Sequence, residues 1–391
     1  MRPETFAGAG AYLDHAATTP MRAEAIEAML PYLAGTFANP SGAHGPSRAA
    51  RRALDAAREE LAAAVGCSPD EVVFTSGGTE SDNLAVLGTV AGRRGAVLTS
   101  AVEHRAVLAP ARTVGGTVVP VDGRGLVDLD EARAAAERSG AAGTPVTLAS
   151  LMLVNSETGV VQPVAAFADA VRAEAPGALV HTDAAQALTW LDVSTLASCC
   201  DLVTISGHKF GGPKGIGALV VRERAARLLR PVLHGGGQER ELRAGTPHVA
   251  GAVAMGAAAT LAASEREATV RRVAALRDRL ADGLVSAAGA VETAPRPLRV
   301  AGSCHLRFPG VAGEELVLLA DRDGVSLSTG SACASGAREP SHVLLAMGLG
   351  EREAREAVRI SLGATTSADE VEHALAVLVR CALHLAPAPP H

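Results

Sequence analysis

Aromatic residues are nearly absent from this sequence, at 2% of 391 residues, and basic side chains are fewer than acidic ones, 36 against 42. The net charge of −6 comes without a basic stripe, which argues against a protein whose main task is gripping nucleic acid. No uninterrupted apolar stretch is long enough to span a bilayer, and Met1–Gly10 lacks the basic-then-apolar pattern of a secretory signal. A soluble cytoplasmic protein without membrane attachment is therefore expected. The six cysteines, Cys67, Cys199, Cys200, Cys304, Cys333 and Cys381, form no Cys-x-x-Cys pair and no zinc-like spacing with histidine. Neither a disulfide framework nor a metal site is expected. The neighbours Cys199 and Cys200 read as small buried fillers ahead of an apolar strand, and no internal repeat is visible.

What is present is alanine, glycine and enough apolar residues, 48%, to bury a sizeable core in two or three domains. Strand-like runs occur at 72–74, 96–98, 117–119, 146–154, 178–181, 201–205 and 217–221. Segments with helical periodicity, such as 128–138 and 164–172, lie between several of them. This alternation predicts an α/β domain with a mostly parallel seven-stranded sheet flanked by helices. The stretch 250–288 reads as one long helix or two leading out of that domain. Beyond it a strand at 304–308, a helix after Gly313 and a final helix capped by Ser367 and Glu370 indicate a smaller α+β unit. The expected division is an N-terminal segment 1–20 packing with the small unit, a large domain 21–255, a small domain 256–385 and a flexible tail 386–391. Helices near 22–33 are also expected to pack on the small unit.

Four strand exits carry chemistry. Ser206-Gly-His-Lys209 follows an apolar run and sets one amine among hydroxyl, imidazole and glycine groups, as an aldehyde cofactor with a phosphate tail requires. Thr75-Ser-Gly-Gly-Thr-Glu80 follows a strand and opens a helix, so backbone N–H groups with Thr79 suit a phosphate. His181-Thr-Asp-Ala-Ala-Gln186 ends a strand with a carboxylate that would hold a pyridine nitrogen protonated, and Gln186 could donate to the ring oxygen. His104, after the strand ending near Thr99, could stack on such a ring. Each motif alone also fits an ordinary role: a solvated lysine, a glycine turn capped by Thr79, an aspartate or a histidine capping a helix. Four together are hard to explain that way.

The chain resembles the NifS/IscS-like cysteine desulfurases, pyridoxal-phosphate enzymes of the aspartate-aminotransferase fold (fold type I, class-V aminotransferase family). The resemblance runs through Tyr12-Leu-Asp-His-Ala-Ala-Thr-Thr-Pro20, Asn39-Pro40, Ser76 to Asn83, Glu103-His104, Val154-Asn-Ser-Glu-Thr-Gly159 and Asp183 to Gln186. It continues at Ser206 to Lys209, Arg243-Ala-Gly-Thr246, Gly330-Ser-Ala-Cys333 and Arg359. It implies that Lys209 bonds pyridoxal 5'-phosphate, Asp183 and Gln186 hold its ring, and His104 stacks on it. Gly78, Thr79, Ser206 and His208 would take the phosphate together with Thr246 from the other subunit of a homodimer. Asn155 and Arg359 would hold the carboxylate of L-cysteine.

Cys333 lies in a glycine- and serine-rich stretch read as a mobile loop. The resemblance makes Cys333 the nucleophile that takes sulfur as a persulfide, leaving alanine, with Lys209 moving the Cα proton. Ser331 to His342 resembles the branch that delivers sulfur to an acceptor protein, which could serve iron–sulfur assembly, tRNA thiolation, DNA phosphorothioation or another thio-biosynthesis. Two departures, Gly78 where many relatives have alanine and Phe210-Gly211 after the lysine, should be tolerated. A selenocysteine lyase, an aminotransferase or a cofactor-bound scaffold remain the alternatives.

Overall fold

A computed structural model of the chain describes residues 10–91, 93, 95–330 and 340–386. A short strand β1 (Ala11–Tyr12) precedes β2 (Val72–Thr75), β3 (Ala96–Ser100), β4 (Thr117–Val119), β5 (Val146–Ser150), β6 (Leu179–Asp183), β7 (Leu202–Ser206) and β8 (Gly217–Val221). The last seven form one sheet in the order β2-β8-β7-β6-β5-β3-β4. Pairings from β4 through β7 are parallel, and β8 runs antiparallel to both its neighbours, so the expected mostly parallel sheet is present.

Period-2 alternation gives each strand two buried faces. Val72, Phe74, Val203, Ile205, Ala218 and Val220 point into one core. Val73, Leu202, Leu219 and Val221 point into the other, with helices covering both. The run expected at 146–154 leaves regular pairing at Ser150, although Leu151 and Leu153 still donate to the carbonyls of His181 and Asp183. That extension carries the chain over the sheet's carboxyl edge.

The stretch after the sheet is a single helix, Val249–Ala288, of 40 residues, ended by Gly289 in the left-handed conformation at φ 63°. Ala252, Met255 and Ala259 on its first half belong to the large core, while Val273, Leu280 and Leu284 on its second half belong to a separate small core. The small core is built on β9 (Val291–Glu292), β10 (Ser303–Arg307), β11 (Val325–Ser326) and β12 (Ala357–Ser361). Here β12, β10 and β9 form an antiparallel sheet, and β1 pairs with β11 in parallel. Helices Gly313–Arg322 and Ala368–Leu385 cover it, the latter opened by the Ser367–Glu370 capping box.

Ala11 and Leu13 lie in the small core. The helix Ala23–Met29, expected to pack there too, instead buries Ala25 in the large core, and Arg22 pairs with Glu265 on the long helix at 2.7 Å. Its apolar face meets the half of that helix already committed to the large core. The division expected near residues 255–256 falls inside this continuous helix, whose Ala259 and Ala262 still pack in the large core, so one helix serves both cores. Among the described residues no helix is long and apolar enough to cross a membrane.

Candidate active site

The carboxyl ends of β2, β3, β5, β6 and β7 converge on one edge of the sheet, where α/β folds bind ligands. A cavity of about 450 Å³ opens there, bounded by Gly78, Thr79, His104, Asp183, Gln186, Ser206, His208, Lys209 and Arg359. All are residues the sequence singled out.

The chain leaves β2 through Gly77, whose φ of 153° and ψ of −177° favour glycine, and enters the helix Gly78–Val90. The opening amides of a helix have no partner within it and carry the positive end of its dipole. Thr79 is exposed on this first turn, and a Cβ built at Gly78 would stand 3.4 Å from the Ser206 side chain. Helix start and Ser206 thus lie side by side on the cavity wall, where the free amides could take an anion.

Lys209 sits on a 3-10 turn after β7. Its Nζ donates to the carbonyls of Ala16 at 2.5 Å and Ala17 at 2.8 Å, and Gln186 Nε2 also donates to Ala16 at 2.8 Å. His208 Nδ1 lies 3.2 Å from Thr18 Oγ1, and Thr19 bonds the His208 carbonyl through both amide and hydroxyl. The segment quoted at 12–20 is therefore the other wall of the lysine turn. Burial, then the charges of Lys209 and Lys214, lower the His208 pKa to about 4, so its imidazole is neutral near pH 7.

On the ring side, Asp183 is 6% exposed and its Oδ1 accepts the Ala185 amide at 2.9 Å. Burial raises its pKa, opposed by His104 and Lys209. Such a carboxylate gains from a cationic donor set against it, which a protonated ring nitrogen supplies. His104 takes the capping role weighed from the sequence, Nδ1 accepting the Ala106 amide as the N-cap of Arg105–Thr113, and it also lines the cavity.

Two further carboxyls, Asp82 and Glu103, also reach the cavity wall. Burial raises both, Glu103 to about 8, and each has one buried oxygen with no hydrogen bond among the described residues. Glu103 Oε1 accepts the Met152 amide at 2.6 Å and the Ser100 hydroxyl at 3.1 Å. His181 Nε2 stands 3.7 Å from Asp82, but burial lowers its pKa to about 3, so this is not an ion pair. Asp82, His104 and Asp183 bring ligand atoms within 4.8 Å of one another. In that crowd only one carboxyl ionises easily, and Asp183 has the nearby cations. The sequence signal for Asp82 and Glu103 was adjacency to Thr79 and His104; nothing in the spacing showed that they turn inward.

Arg359 on β12 is 6% exposed, with Nη2 on Asp14 at 2.7 Å, Nη1 on the Ser156 carbonyl at 3.1 Å and Nε buried with no partner among the described residues. An unpaired guanidinium N–H suits an incoming carboxylate. Asn155 holds its own turn: Oδ1 accepts from Glu157, Thr158 and the Thr158 hydroxyl, while Nδ2 donates to Val102 at 2.9 Å and meets the weak acceptor Met152 Sδ at 3.5 Å. With Arg359 and Lys209 it borders a second cavity of about 210 Å³ that adjoins the first.

Glu157, which the sequence reading passed over, accepts the Ser341 hydroxyl at 2.5 Å and stands 3.3 Å from where a Cβ at Gly330 would be. It therefore touches residues on both sides of segment 331–339. Cys333 itself lies outside the described residues. Thr246 is exposed and does not line the cavity of its own chain.

The residues fit pyridoxal 5'-phosphate on structural grounds: a buried carboxylate in want of a cation, a helix start beside Ser206, and an amine on the same cavity. A lysine after β7, a buried aspartate at the end of β6 and a helix start after β2, gathered at one edge of a mostly parallel sheet, are the arrangement of a fold-type-I pyridoxal-phosphate enzyme. The chain matches the class-V aminotransferase family over residues 11–374. It is 43% identical to an IscS-like cysteine desulfurase of Mycobacterium tuberculosis, over 94% of this chain and 95% of that one. A solved NifS-like protein superposes with a TM-score of 0.86 at 33% identity, covering 95% of this chain and 98% of that one. A structure of SspA in complex with cysteine superposes at 0.76, also with 33% identity, covering 91% and 100%. The chain belongs to the class-V aminotransferase family, as a NifS/IscS-like cysteine desulfurase.

Proposed function

We propose that this enzyme takes sulfur from L-cysteine with pyridoxal 5'-phosphate as resident cofactor, leaving L-alanine and a persulfide on Cys333 that passes to an acceptor protein. The convergence of Lys209, His104, Asp183 and Arg359 on a cavity whose wall also includes Gly330 and Pro340, at either end of the Cys333 segment, carries this reading. Asp183 and Gln186 would hold the ring, His104 would cover its face, and Gly78, Thr79, Ser206 and His208 would take the phosphate, with Thr246 of a second copy completing it. When bound, the cofactor supplies an aldehyde for amine exchange and a pyridinium that absorbs charge from the adjacent carbon.

Arg359, on the wall of both cavities, would fix the substrate carboxylate, and Asn155 Nδ2 could exchange Met152 sulfur for a carboxylate oxygen. With its amine free, Lys209 would take the Cα proton and later return a proton to carbon. The Cys333 thiolate then attacks the substrate sulfur: an S–S bond forms, the C–S bond breaks, and its electron pair stays with the carbon fragment that leaves as alanine. The free thiols among the described cysteines fit a reducing compartment, and we place the protein in the cytoplasm.

The test is incubation with sulfur-labelled L-cysteine, amino-acid analysis of the product and mass measurement of Cys333 peptides. Alanine in step with label on Cys333 is expected; a keto acid product would overturn the reading in favour of transamination. Cys333→Ala should keep the cofactor colour and pass no sulfur. Lys209 and Lys214 are the only lysines in the sequence, so borohydride reduction followed by peptide mapping chooses between two positions, and Lys209 is expected.

A further inference from the structure

Glu239, Arg240 and Glu241 adopt φ of 46°, 56° and 64°, and no other described non-glycine residue has a positive φ. Three successive L-residues in the left-handed region are costly, so tertiary bonds must hold them there. Those bonds gather on one side chain. The Glu239 carboxylate takes two bonds from Arg58, at 2.8 and 2.9 Å, and a third from the Phe74 amide at 2.8 Å. Arg58 in turn donates to the Val72 carbonyl at 2.5 Å and lies over the Phe74 ring, 4.8 Å from its centre.

Val72 and Phe74 belong to β2, the edge strand of the large sheet, so the clamp occupies backbone groups that no neighbouring strand uses. The same strand runs directly into Ser76-Gly77-Gly78-Thr79. Downstream of the turn, Leu242 is buried and Arg243 pairs with Glu80 at 2.8 Å, beside Thr79. Gly245, at φ 109°, donates to Gln238 Oε1 at 3.1 Å and closes the loop. The loop thus passes its own phosphate cradle at Arg243 and leaves Thr246 pointing to solvent.

We propose that Glu239 is a positioning residue, fixing the left-handed turn 239–241 to β2 so that Thr246 reaches the cofactor phosphate of a second copy of the chain. The inference rests on the reading that Thr246 completes the partner's phosphate site. It makes β2 serve two sites: Thr79 in its own chain and, through Glu239, Thr246 in the other.

The test uses the full-length enzyme stripped of cofactor, with affinities for pyridoxal phosphate and for pyridoxal, which lacks the phosphate, measured by absorbance. Glu239→Ala should weaken pyridoxal phosphate by roughly tenfold and pyridoxal by less than about twofold, because only a phosphate contact is lost. Glu239→Gln, which keeps the Phe74 contact, should fall between, and it serves if the alanine variant does not fold. In a Thr246→Ala background, Glu239→Ala should add nothing. Equal weakening of both ligands, or fully additive losses in the double variant, would overturn the role of Glu239. If Thr246→Ala binds pyridoxal phosphate as tightly as the parent, the reading of the partner's phosphate site fails instead, and the inference with it.

Discussion

Asp14 Oδ1 holds Arg359 Nη2 at 2.7 Å, across 345 residues of sequence. With the Ser156 carbonyl on Nη1, this aims the guanidinium before any carboxylate arrives. Pre-aimed groups lose less entropy on binding, so the pair should act on substrate affinity. Arg359→Lys is expected to raise KM for L-cysteine roughly ten- to a hundredfold with a smaller change in kcat, and Asp14→Asn to raise it less. Steady-state kinetics check both, and an unchanged KM in Arg359→Lys would remove Arg359 from substrate binding.

Glu103 makes stability fall with rising pH. Its folded pKa, pushed up to about 8 by burial, exceeds its ordinary value, so between about pH 4.5 and pH 8 the folded chain keeps a proton that the unfolded chain has released. Its contribution is present below that window and lost through it. Glu103→Gln should therefore gain in melting temperature, relative to the parent, between about pH 5.5 and pH 8.5. Parallel melting curves would count against a protonated Glu103.

Buried histidines act from the acid side. Burial lowers His181 and His305 to about 3 and His15 to about 4, while the unfolded chain takes up protons near the ordinary histidine value of about 6.5. Their contribution is complete above that value and lost as pH falls towards 3–4. His305 donates to or accepts from Thr293 Oγ1 at 2.9 Å, and its other nitrogen is buried without a partner. His305→Gln should flatten the acid limb of the stability curve, measured by denaturant unfolding from pH 7 to pH 4.

Gly77 and Gly78 should respond differently to a methyl group. At Gly78 the added carbon meets Ser206 at an ordinary 3.4 Å, so Gly78→Ala should keep cofactor affinity within about twofold. At Gly77 a Cβ would meet no neighbour, but the φ of 153° penalises any Cβ, so Gly77→Ala should strain the helix start and weaken cofactor binding clearly more. Cofactor titration of both variants decides.

Much of this site was legible because its residues sit where local patterns change, at the ends of apolar runs: Thr79, His104, Asp183, Ser206 and Lys209. The sheet followed from the same alternation, and the final helix from its capping box. Other features depend on partners distant in sequence. The division of labour along Val249–Ala288, the attachment of Ala23–Met29 to the large core, and the use of 12–20 as the wall around Lys209 have no local signature.

By itself the sequence determined which chemical groups are available, since residue types and their spacing at strand exits specify amine, carboxylate, imidazole and a glycine turn that opens a helix. Only the tertiary structure decided which of them act together. It turned Asp82 and Glu103 inward beside Asp183, set Asp14 on Arg359, and bound Glu239 to β2 while leaving Thr246 outside its own cavity. The physical reason is that charge and hydrogen-bond energies depend on distance and burial, which close only when segments hundreds of residues apart pack against one another.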